Sequence, residues 1–127
     1  MSGARSILFV EDEAPLREMV VEALQDAGYH VQAAEDGIQA LDFIGGSAHF
    51  DAMITDVSMP NGVSGIELAR KAKDTRPGLV VVLVSGFARG QLPPVPHAIP
   101  FLPKPYRLGE LMTILRESLD DGDRAGN

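Results

Sequence analysis

Cysteine is absent from the 127 residues, which excludes a disulfide framework and any thiolate metal site. No apolar run approaches the length that spans a bilayer, and the opening MSGARSILFV has no signal-peptide pattern. A cytoplasmic location with no membrane partner is the expectation. Positive charge is in deficit, with 11 Lys and Arg against 18 Asp and Glu and a net charge of −7. That balance argues against direct nucleic-acid binding, which leans on neutralising phosphates. Internal repeats and linkers are missing too, and the length suits one domain. The starting Met and the extent of the pattern favour a natural single domain over 1–127, with its core at about 6–119 and an acidic, frayed tail at 120–127.

What is present is an alternation of short apolar runs with segments of helical period. SILFV (6–10) reads as a buried strand, HVQAA (30–34) as a more polar one, and DAMIT (51–55) as a third. LVVVLV (79–84) is apolar throughout, as a central parallel strand covered on both faces should be. AIPFL (98–102) is the fifth, and Pro100 demotes it to an edge. Between them, Pro15 to Ala27 carries a helical stripe stopped by Gly28. Asp36 is placed to cap a helix ending at Gly45-Gly46, and Ser64 and Glu67 have capping-box spacing for another to about Asp74. Leu108, Leu111, Met112, Leu115 and Leu119 mark a final amphipathic helix. Repeated strand–helix units of this kind imply an α/β, doubly wound parallel sheet of five strands. The polar second strand and the proline-bearing fifth fit the two edges of the order 2-1-3-4-5.

Ligands of such sheets bind at the carboxyl ends of the strands. There the chain places Glu11, Asp12 and Glu13 after the first strand, Asp56 after the third, Ser85 after the fourth and Lys104 after the fifth. Taken singly, each is an ordinary turn former, cap or surface residue. Their coincidence at equivalent positions points to one polar crevice. Converging carboxylates repel unless something positive compensates, and Mg²⁺ characteristically takes one or two carboxylates with waters and phosphate oxygens. Lys104 adds a point charge for a phosphoryl oxygen, Ser85 a hydrogen-bond donor, and Asp56 a carboxylate able to form an acyl phosphate. Phosphoryl transfer needs mainly positioning and charge neutralisation.

The segments ILFVEDE, DAMITDVSMP…SGIELA, VVLVSGFA and FLPKPY, in this order, resemble the receiver domain of bacterial two-component response regulators over about residues 6–119. The resemblance implies that Asp56 accepts a phosphoryl group from a sensor histidine kinase or a histidine phosphotransfer protein. It implies that Glu11 and Asp12, with Asp56 and the backbone carbonyl of Ser58, hold Mg²⁺. Ser85 matches the hydroxyl that swings toward the phosphate, Phe101 the aromatic ring that rotates with it, and Lys104 the phosphate-pairing lysine, followed by a cis bond to Pro105. A phosphorylation switch results, not an enzyme beyond assisting its own aspartyl phosphorylation and dephosphorylation. Its signal would be read by an unknown downstream protein on the face of the fourth helix, fifth strand and last helix.

Four departures stand out. Glu11 replaces the commoner Asp, the loop MPNGVSG is one residue longer than usual, and Arg107 stands where a capping Asp, Ser or Thr often begins the last helix. The largest is in the segment that should carry a fourth helix, where Pro93, Pro94 and Pro96, three of six prolines between 93 and 105, forbid a regular helix beyond about Gln91. Residues 87–97 read as at most one helical turn and then an extended loop, leaving that helix missing or vestigial. The competing reading is a pseudo-receiver acting as a constitutive binding module; its mark would be loss of Asp56, Lys104 or the acidic pair, and none is lost. A phosphatase with an aspartate nucleophile would want Asp-x-Asp after the first strand, where EDEAP stands. A flavin binder would have its phosphate repelled there.

Overall fold

The computed structural model describes residues 4–58, 62–86 and 99–125. Among them the elements run β1 (Ser6–Val10), α1 (Ala14–Asp26), β2 (His30–Ala34), α2 (Gly37–Ile44), β3 (Ala52–Asp56), α3 (Gly65–Thr75), β4 (Val80–Ser85), β5 (Phe101–Pro103) and α4 (Leu108–Ala125). The five strands pair in parallel in the order β2-β1-β3-β4-β5. The expected fold class is the observed one. Residues 87–97, read as the missing or vestigial helix, lie outside the described residues.

Local chemistry sets the helix ends. Pro15 occupies the first turn of α1, where its missing N–H costs nothing. At the other end Gly28 takes φ +101°, and Tyr29 N–H reaches back to Leu24 O at 3.1 Å, closing the last turn. Asp36 caps α2 by accepting from Gln39 N–H at 2.8 Å, and Ser64 caps α3 by accepting from Glu67 N–H at 3.1 Å. Arg107 brings no capping oxygen to α4. Glu110 supplies only the reciprocal half of a capping box, its carboxylate accepting the Arg107 N–H at 2.8 Å.

Because side chains alternate across a strand, the apolar runs supply two cores. Leu8, Val10, Met53 and Leu83 meet Ala40 and Ile44 of α2 and Ile66, Ala69 and Ala72 of α3 on one face. Ile7, Phe9, Ile54, Val82 and Val84 meet Val20 and Leu24 of α1 and Leu111, Leu115 and Leu119 of α4 on the other. Covering both faces this way leaves the loops at the strand ends as the place for polar work.

Two boundaries depart from expectation by more than one residue. The fifth strand starts at Phe101, with Ile99 and Pro100 outside it, because Pro100 has no N–H to give the ladder; its carbonyl only accepts from Leu83 N–H, at 2.9 Å. The last helix continues to Ala125, past Leu119 and into the segment expected to fray. No proline intervenes, and Gly122 is tolerated in a helix at roughly 1 kcal/mol.

One glycine is required for packing. Gly65 opens α3 with its N–H on Val57 O at 2.8 Å, and a Cβ there would press on the Asp56 carbonyl and lie 2.8 Å from the Val57 Cα. Backbone cannot give way as a side-chain tip can. Gly65→Ala is therefore expected to destabilise the domain by about 3 kcal/mol, the upper range for overpacking, and to push α3 off the end of β3. Denaturant unfolding measures the loss; an unchanged midpoint would contradict the contact.

Candidate functional site

At the carboxyl edge of the sheet the strand ends are tied to one another by backbone bonds before any side chain acts. Glu11 N–H donates to Ala34 O at 3.0 Å, extending the β1–β2 pairing by one residue. Asp56 closes β3 and pairs in register with Val84. Ser85, fully buried, closes β4 next to that position, and its carbonyl accepts the Lys104 N–H at 2.7 Å. The Lys104–Pro105 peptide bond is cis.

On this frame Lys104 joins the two buried carboxylates. Its Nζ lies 2.6 Å from Asp56 Oδ2 and 3.2 Å from Glu11 Oε1. Glu11 is 2% exposed and Asp56 8%. Glu11 Oε2 also accepts from Glu13 N–H at 3.1 Å, and Asp56 Oδ1 from Ser58 N–H at 3.2 Å. Asp12 is exposed, yet a carboxylate oxygen from each of Glu11, Asp12 and Asp56 falls within one 4.8 Å set.

Three carboxylates face one ammonium. Burial pushes the Glu11 carboxyl above its ordinary value, and the Asp56 charge adds to this, against the Glu13 N–H and Lys104. Burial alone would weaken the Lys104 ammonium, but its bonds first to Asp56 and then to Glu11 prevail and hold its pKa above the usual lysine value. Tyr106, half-buried just beyond the cis bond, has its phenol pushed up to about 12 by burial and by the Glu11 charge.

The sequence matches the response regulator receiver domain over residues 7–116. The chain belongs to that family. Receivers are the phosphorylation-linked input modules of two-component systems, and this one has two instructive relatives. It is 36% identical over 129 residues to the sensor kinase CckA of Brucella abortus, covering 97% of this chain but only 13% of that protein. It is 35% identical over 118 residues to the response regulator receiver protein CpdR of the same organism, covering 91% of this chain and 97% of that one. Among solved structures, the response regulator TrrA of Thermotoga maritima, in complex with Mg²⁺ and BeF, superposes with a TM-score of 0.79 at 29% identity, covering 90% of this chain and 98% of that one.

The receiver thus gathers Glu11, Asp12, Asp56 and Lys104 into one cluster and sets Ser85 and Ser58 at its rim. Phe101 sits in register with Leu83 on β5, half-buried against the core shared with α2 and α3. The donor set is all oxygen, which suits a hard divalent cation. Mg²⁺ fits these residues. No helix among the described residues is long and apolar enough to cross a membrane.

Inspection of strand ends alone missed two neighbours of the site. Arg17 lies within α1, six residues from the carbonyl it binds, and Tyr106 is an aromatic in a loop with nothing in its spacing to set it apart. Tyr106 shows itself only through its nearness to Glu11 and Lys104.

Proposed function

We propose that this receiver is a phosphorylation switch with Asp56 as the phosphoacceptor. The observation that carries the reading is the Lys104 bridge between Asp56 and Glu11, in a pocket where three carboxylates can share a metal. An Asp56 carboxylate oxygen attacks phosphorus; the new P–O bond forms as the P–N bond to a donor histidine breaks, and the imidazole leaves. Glu11, Asp12, Asp56 and the Ser58 carbonyl would hold Mg²⁺, which would supply charge neutralisation for the phosphoryl oxygens. Lys104 turns from the carboxylate to a phosphoryl oxygen, and Ser85 donates to another. Phe101 then shifts on β5, altering the face beside β5 and α4 for a downstream protein. The chain acts on no substrate but itself.

The donor is a sensor histidine kinase or a histidine phosphotransfer protein. Similarity both to a segment of a sensor kinase and to a receiver protein of nearly this length supports that class. TrrA with Mg²⁺ and BeF supports the metal.

The test is labelling by acetyl phosphate. One phosphoryl group per chain is expected with Mg²⁺, and none once the metal is chelated. A folded chain that stays unlabelled with Mg²⁺ present would leave the constitutive binding module as the better account.

A further inference from the structure

In the acidic loop between β1 and α1, the Glu13 N–H bond to Glu11 Oε2 holds Glu11 but does not reach Asp12. Glu11, Asp12 and Glu13 are consecutive carboxylates. Glu13, at the N-cap of α1, makes no side-chain cap bond, and the first turn of the helix holds Pro15. Among the described residues no group bonds the Asp12 carboxylate, so its place is set by the backbone that carries it. That backbone is held from below by Arg17. The residue sits half-buried in the first turns of α1, its own N–H on Glu13 O at 2.9 Å. Its guanidinium folds back under the loop, where Nη1 donates to Glu11 O at 2.8 Å and reaches Asp12 O at 3.5 Å.

We propose that Arg17 is a positioning residue for the metal site: it clamps the carbonyls of Glu11 and Asp12 so that their carboxylates stand ready for the cation. This rests on the reading of Glu11 and Asp12 as Mg²⁺ ligands. The guanidinium has two opposed effects on a cation. Its charge repels Mg²⁺ through space, while its bonds remove the ordering cost that a loop of three like charges would otherwise carry. Positioning outweighs repulsion because the charge is engaged by carbonyl oxygens and partly exposed to solvent, where it is screened. The two effects differ in sign, so they can be separated.

The experiment is calorimetric titration with Mg²⁺ alone on wild type, Arg17→Gln and Arg17→Lys. Arg17→Gln is expected to weaken Mg²⁺ about 10-fold, the size typical when a partner of a metal ligand is lost. Arg17→Lys keeps the charge and one donor and is expected to recover part of that loss. Amide exchange gives the second readout: protection at residues 11–13 falls, while Val20 and Leu24 of α1 keep theirs. A mere helix-stabilising role would instead loosen α1. Arg17→Gln binding as tightly as wild type, or tighter, overturns the proposal. If that variant does not fold, Arg17→Lys decides, and wild-type affinity in it overturns the proposal equally. Wild type that binds no Mg²⁺ would instead overturn the ligand assignment itself.

Discussion

Asp56→Asn is expected to reduce labelling by acetyl phosphate to background while leaving the fold in place. The amide matches the carboxylate in shape, and its oxygen can still accept from Ser58 N–H or from Lys104. What it loses is the anionic oxygen that attacks phosphorus and displaces acetate. Removing one of three crowded carboxylates also relieves repulsion, which offsets the loss of one charge-assisted bond. The unfolding midpoint should therefore move by no more than about 1 kcal/mol. Mass measurement after incubation with acetyl phosphate and Mg²⁺ reads the first quantity, and urea titration the second. Full labelling of the variant would show that the phosphoryl group goes to another residue.

The residues that made the site legible are those where chain order and geometry coincide. In a parallel sheet every strand delivers the residues that follow it to the same edge, so reading one position past the first, third and fourth apolar runs and two past the fifth found Glu11, Asp56, Ser85 and Lys104 without knowing any distance. The bounds of β1 and β2 follow from their runs alone, since Gly28 and Asp36 punctuate the chain around β2. What escaped is what depends on the reach of a long side chain. Arg17 could as well have pointed to solvent, like most arginines on a helix. Glu110 reaches back from the first turn of the helix to the Arg107 N–H, where hydropathy alone suggests an exposed glutamate. Arg76 of the α3 end likewise crosses to Ile44 O at 3.0 Å and stacks 5.4 Å from the Phe50 ring, pinning α2 to α3 from 32 residues away. Strand 5 was misplaced for another reason. An apolar run containing proline has fewer ladder donors than its hydropathy suggests, and Pro100 moved the start to Phe101.

The same physics sets the expected cost of losing Lys104. Lys104→Met keeps most of the apolar stem and removes the charge, leaving Glu11 and Asp56 buried without their common partner. Breaking a fully buried ion pair costs roughly 3–5 kcal/mol. The Lys104 side chain is 20% exposed, so screening reduces this and about 2 kcal/mol is expected near pH 7. The sign of the pH dependence follows from Glu11. Its folded pKa lies above the unfolded value, so the folded chain holds the extra proton and loses stability as pH rises across that window. In wild type Lys104 pulls the Glu11 pKa down and keeps the window narrow. Removing it widens the window upward, so the deficit of the variant should be small near about pH 4, where a free glutamate titrates, and grow toward neutrality. At the alkaline end the Lys104 contribution, which depends on ionised Asp56 and Glu11, is lost as pH rises through its raised folded pKa. Mg²⁺ at about 100 times its Kd adds about 2.7 kcal/mol to any form that binds it, and should rescue the variant because it replaces the missing charge. Urea midpoints at acid and neutral pH, with and without Mg²⁺, read all three. A deficit that stays the same from acid to neutral pH, or that Mg²⁺ leaves untouched, would mean that Lys104 stabilises the domain by packing and not by neutralising the Glu11–Asp56 pair.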